Sequence, residues 1–262
     1  MFFHPDIPFI IKFLADFRRY MNKQNQLDDK LFIDQEIIKI ESLFQQGNID
    51  RVNQELLKFR ALYQDLQTLE EKDFQYIRAY KNKLMRCLSD QYHGIRLEIG
   101  IAQKLLDNNI RFTMPDPPDF LLEFENAKIK IECTSRHLSA KKDFEHVVLG
   151  FKTAFETKSR YGFVDSSSAL FIDASNLSFN DVRLFADHSS KTKSFLQAEL
   201  EKTNFGNVTV FSWILNVEME RYENNYNRID SKTISIYLKR FLDQLWPYGN
   251  LKTGKFLAPI IG

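Results

Sequence analysis

The chain has 262 residues, 44% hydrophobic and 27% charged, with 24 phenylalanines. This is an ordinary globular composition with a large aromatic reserve, long enough for one large domain or for a core with an attached helical segment. A formal net charge of +1 removes any global demand for a polyanionic or membrane partner, and no apolar run approaches the ~18 residues that span a bilayer.

The opening stretch, "MFFHPDIPFIIKFLADFRRY", is apolar at first. It lacks a basic leading region and a small-residue cleavage site, and Pro5, Asp6 and Pro8 interrupt it, so no targeting segment is expected. Cys87 and Cys133 lie far apart and outside any CxxC pattern, which predicts free, buried thiols in a reducing compartment. The expected address is the cytoplasm.

Residues 1–90 are predicted to form a helical N-terminal segment. Ile37, Ile40 and Phe44 make one apolar stripe, Gly47 is a C-terminal stop, and Asp50 is an N-cap for the helix that follows. That helix carries Val52, Leu56, Phe59, Tyr63 and Leu66 in a narrow seam. A third helix has Phe74, Ile77, Tyr80, Leu84 and Leu88 in register. The seams pack within the chain or form a dimerisation or substrate-contact arm.

The pattern changes in residues 91–262. "YHGIRLEIGIAQKLLDNN" predicts an amphipathic helix, and the cluster Pro115–Pro118 a loop. Two short strands follow around Glu125 and Asn126. Next come a helix from about Ala140 to Arg160, a buried strand "SALFIDAS", a helix in "DVRLFADHSSKTKSFLQAELEK", a strand "NVTVFSWILNVE", a polar loop "RYENNYNRID" and a last helix "TISIYLKRFLDQLW". The fold class is mixed α/β (α+β).

The hairpin carries two acids. Alternation puts Ile129, Ile131 and Cys133 on one face of its second strand and Lys128, Lys130, Glu132 and Thr134 on the other, the apolar set toward the core. A Glu125–Asn126 loop sets Asp119 opposite Glu132, and an Asn126–Ala127 loop sets it opposite Thr134. Either register leaves both acids on one face; a three-residue loop separates them. Directly opposed residues have Cβ atoms ~4.5–5.5 Å apart, where like charges repel. Solvent screening or a shared divalent cation would justify the pair. Glu98, beside the apolar stripe of the preceding helix, needs a partner: a metal-bound water, Arg96 or a nearby lysine. Lys158 continues the stripe of Phe144, Val147, Val148, Phe151 and Phe155, so it either snorkels outward or points at an anion.

Together these residues resemble the PD-(D/E)xK nuclease superfamily, the restriction-endonuclease-like fold, over residues 90–175. Glu98 matches the helix acid, Pro118-Asp119 the "PD", and Glu132 the second strand acid. Thr134 stands where the family has lysine. Variants of the superfamily move that lysine to the following helix, where Lys158 fits, and Lys130 is the runner-up. The resemblance implies Mg²⁺ or Mn²⁺ held by Asp119, Glu132 and a backbone carbonyl near Cys133, with Glu98 holding a bound water or a second ion. It further implies that Lys158 orients the attacking water or stabilises developing charge in phosphodiester hydrolysis, with DNA as the substrate and a restriction, phage-defence or mobile-element setting. Cutting both strands implies a possible homodimer.

Residues 128–160 hold eight Lys/Arg against four acids, which suits a polyanion or a solvated helix face equally. Candidate substrate contacts are Lys130, Thr134, Ser135, Arg136, Lys141, Lys142 and Lys152. The five histidines form no HxH or HExxH pattern, which argues against zinc. Two other readings remain: a catalytically inactive nuclease-like fold acting as a nucleic-acid-binding or scaffold protein, and a helical adaptor whose α/β half is structural.

Overall fold

A computed structural model of the chain describes residues 7–23, 27–72, 74–135, 144–175, 189–216, 221–248 and 253–256. These group into two compact units. One comprises Met1–Gln103 with Leu215–Tyr222 and Gly254–Gly262; the other comprises Lys104–Ile214 with Glu223–Thr253. The predicted boundary at residue 90 falls in the first turn of the helix Ser89–Asp107, whereas the grouping keeps most of that helix with the helices before it.

The first unit is built on α1 (Ile7–Tyr20), α2 (Phe32–Gln45), α3 (Ile49–Glu71), α4 (Ile77–Arg86) and the bulk of α5 (Ser89–Asp107). Gly47 follows the α2 C-cap with φ of 71°, the left-handed conformation that glycine adopts without a Cβ clash. The α3 N-cap is Asn48, whose side chain accepts from the Arg51 amide; Asp50, the expected cap, lies inside the first turn. The α3 seam is buried at Val52, Leu56, Phe59 and Leu66. It is met by the aromatic face of α1, with the Phe17 and Phe59 rings 4.8 Å apart and the Tyr20 and Tyr63 rings 4.8 Å apart. The seam is thus packed inside its own unit. No described helix is long and apolar enough to cross a membrane.

The second unit is a mixed sheet between helices. Its elements are β1 (Phe112–Thr113), β2 (Phe120–Phe124), β3 (Ala127–Ser135), α6 (Phe144–Lys158), β4 (Ser168–Asp173), α7 (Ser189–Leu200), β5 (Asn207–Asn216), β6 (Arg221–Asp230) and α8 (Ile236–Leu245); a short strand, β7 (Thr253–Phe256), comes later in the chain. Strands β1 to β6 are hydrogen-bonded in sequence order. The β1–β2 and β2–β3 pairs are antiparallel, and β3–β4 and β4–β5 are parallel.

Register assigns the two faces. Glu132 pairs with Leu170 and Thr134 with Ile172, and β4 carries these residues on to Val208 and Val210 of β5. Leu170, Ile172, Val208 and Val210 share a core with Phe151 and Phe155 of α6 and Leu196 and Leu200 of α7. The opposite face places Ile131 and Cys133 beside Ala169 and Phe171. There Phe171 packs edge-on against Phe211 and Trp246, each 5.1 Å away, and Phe124 meets Phe241 of α8 at 5.6 Å.

The stretch "RYENNYNRID", expected to be a loop, is strand β6. Its ladder needs backbone, not apolar side chains, and its buried Arg228 is neutralised. Arg228, 1% exposed, binds Asp230 at 2.6 Å and Asp243 at 2.7 Å.

Candidate active site

The β2–β3 hairpin fixes the first two site residues. Glu125 and Asn126 have φ of 49° and 65°, the two positive values of a two-residue turn suited to the right-handed twist of paired strands. Phe124 therefore pairs with Ala127 and Phe120 with Ile131. Asp119, one residue before β2, falls level with Glu132. Its Oδ2 accepts a hydrogen bond from the Cys133 amide at 2.7 Å, which ties this acid to the strand carrying the other.

Glu132 was expected to face solvent or an open site. It is 2% exposed, because its face of β3 lies under α6. Its Oε1 accepts from Lys158 Nζ at 2.5 Å. Its Oε2 is buried and has no hydrogen-bond partner among the described residues. Burial, with added repulsion from Asp119, lifts the Glu132 carboxyl from 4.5 to about 7, although Lys158 and the Asp119 backbone pull the other way. Burial weakens the Lys158 ammonium's hold on its proton, but the Glu132 carboxylate more than compensates, and its affinity rises above the usual value.

Lys158 reaches this position because it ends α6 on the side facing the sheet. Its ammonium also lies 5.4 Å from the centre of the Tyr161 ring. Sequence reasoning passed over Tyr161, although its position three residues beyond Lys158, just past the helix end, was a usable signal.

Lys130, the alternative lysine, is occupied elsewhere: its Nζ donates to the Phe163 carbonyl at 3.1 Å and pairs with Asp165. Glu98 belongs to the first unit. There it accepts from the Tyr80 hydroxyl at 2.8 Å and sits 3.6 Å from Lys83 Nζ, while Arg96 pairs with Asp65 at 2.5 Å. Among the expected contact residues, Thr134 and Ser135 are half-buried at the end of β3. Lys152 is exposed and lies 3.8 Å from Glu156. Arg136, Lys141 and Lys142 lie outside the described residues.

The arrangement suits a hard cation. Two carboxylates, one on β3 and one just before β2, with one buried oxygen unsatisfied among the described residues, offer the kind of oxygen donors that Mg²⁺-type ions take alongside water and substrate phosphate. The described residues hold no cluster of three or more His, Cys, Asp or Glu arranged for a metal; one or two carboxylates are the usual protein share for Mg²⁺.

No protein-family model matches the chain, and no curated protein or solved structure matches it.

Proposed function

We propose that the second unit is a metal-dependent nuclease of restriction-endonuclease-like fold that hydrolyses phosphodiester bonds in DNA, with Asp119, Glu132 and Lys158 as its site. The observation that carries this reading is that Lys158 donates to Glu132 Oε1 while Asp119, tied to the Cys133 amide, lies close enough to Glu132 to repel its charge, beside a carboxylate whose Oε2 is buried. The antiparallel hairpin bearing the acids, the helix after it and the parallel strand β4 stand in the order the resemblance requires.

Asp119 and Glu132, with the Cys133 carbonyl, would hold Mg²⁺ or Mn²⁺. When bound, such an ion polarises the scissile phosphate and makes a water nucleophilic near neutral pH. The chain's own residues do the rest. The Cys133 amide keeps the Asp119 carboxylate aimed. Glu132 must be deprotonated to act as a ligand. Lys158 Nζ, which stays protonated, donates to the oxygen on which negative charge develops. Glu98, described only within the first unit, has no part in this proposal.

A second reading has its own support. Thr134 stands where the motif lysine belongs, and Lys158 is closed onto Glu132, as expected of an inactive relative that binds nucleic acid. Incubating the protein with plasmid and single-stranded DNA separates the two. The nuclease reading expects cleavage in Mn²⁺, none in EDTA, and none for Asp119→Ala or Glu132→Ala. Persistent activity in those variants excludes this site, and binding without cleavage in any metal favours the inactive relative.

A further inference from the structure

We infer that Tyr161 is the positioning residue for Lys158, its ring holding the ammonium at the site when the Glu132 carboxylate turns to another cation. The inference rests on the nuclease reading for its catalytic meaning, but on geometry alone for the contact.

Among the described residues Lys158 Nζ donates to Glu132 Oε1 at 2.5 Å and lies 5.4 Å from the centre of the Tyr161 ring, with Asp119 near enough to favour its charge. A carboxylate that ligates a metal through one oxygen gives up part of its charge to that metal, so its hold on the lysine through the other oxygen weakens. The ring's hold does not, because the negative face of an aromatic attracts an ammonium within about 6 Å and does not ligate hard cations.

The ring is itself fixed. Past the end of α6, the Tyr161 amide donates to the Lys158 carbonyl at 3.3 Å, and Val164 donates back to the Tyr161 carbonyl at 3.1 Å. Tyr161 stacks on Phe163 with centroids 5.4 Å apart and planes 21° off parallel. Both rings pack against the core between the sheet and α6. Lys130 closes the chain of contacts: it grips the Phe163 carbonyl at 3.1 Å and pairs with Asp165. A lysine on the same strand as Glu132 therefore serves the site at a remove, by bracing the loop that holds the ring that holds Lys158.

The test uses two readouts. The first is the acetylation rate of Lys158, followed by peptide mass spectrometry, which needs no enzymatic activity. Tyr161→Leu should raise the rate about fivefold, the order expected when a cation–π contact is lost, whereas Tyr161→Phe should stay close to the parent. Because Tyr161→Leu could disturb folding, a site-specific series of phenylalanines with increasing fluorination at position 161 keeps ring shape while draining its negative face. Rates should climb with fluorine content, and a flat series overturns the inference. The second readout is Mn²⁺-supported plasmid cleavage: Tyr161→Leu should lower kcat about tenfold with KM nearly constant, and Tyr161→Phe should recover most of the loss. Equal losses in both variants overturn the positioning role. If the parent protein fails to cleave in Mn²⁺, the nuclease reading falls, and the acetylation series still decides whether the ring holds Lys158.

Discussion

Lys158 Nζ lies 2.5 Å from Glu132 Oε1, joining the last turn of α6 to the middle of β3. The carboxyl is nearly inaccessible and the lysine only partly exposed. Removing one member of a buried pair costs more than the pair contributes, because it strands the other charge. Lys158→Met should therefore lower stability by about 3 kcal/mol at pH 8, where Glu132 is ionised. The loss should shrink at pH 5, where Glu132 takes up a proton, and urea denaturation at the two pH values measures the difference.

Glu132 also sets a pH dependence in the parent protein. Its carboxyl holds a proton up to about pH 7 in the fold, against 4.5 for an ordinary glutamate carboxyl. Between those values the folded state binds more protons than the unfolded chain, so stability falls as pH rises. Below 4.5 both states are protonated and the penalty vanishes; above 7 it is complete, on the order of 3 kcal/mol at ~1.4 kcal/mol per pH unit. Denaturation midpoints in EDTA across this window should show the decline, and Glu132→Gln should flatten it.

Gly206 is fixed by close approach. A Cβ there would lie 2.1 Å from the Ser166 carbonyl oxygen, backbone that cannot swing aside as a side chain can. The Gly206 amide donates to Ser168 at 2.9 Å, which holds the start of β5 against β4. Gly206→Ala should cost about 2–3 kcal/mol, the upper range for a single substitution, read as a drop in melting temperature.

Both thiols should be silent in the native state. Cys87 and Cys133 are free and buried, and burial pushes the Cys87 thiol up to about 11. Thiolate, not thiol, is the reactive form. A thiol-specific colorimetric reagent at pH 8 should therefore register almost nothing until denaturant is added, then two equivalents per chain.

The parts of this site that the sequence foretold are those governed by local rules. Strand alternation put Asp119 and Glu132 on one face, with the turn left to choose between two registers, and helical periodicity put Lys158 on the core-facing stripe of its helix. What it hid were relations between distant segments. The burial of Glu132 depends on α6 lying over that face of β3, and alternation alone does not say whether a polar face is covered. Glu98 found Tyr80 and Lys83 on another helix, while Arg96, next but one in sequence, turned to Asp65. Strand β6 read as a loop because its composition is polar, and only its tertiary partners, Asp243 among them, make Arg228 tolerable inside.

The central claim is that Asp119 and Glu132 form one divalent-cation site with Lys158 beside it. Electron paramagnetic resonance of Mn²⁺ titrated into the protein at pH 8 tests it most directly. The account predicts one bound ion in the parent protein, retained in Lys158→Met and lost in both Asp119→Asn and Glu132→Gln with the fold intact. Mn²⁺ binding unchanged in those two carboxylate variants, or absent from the parent protein, would contradict it.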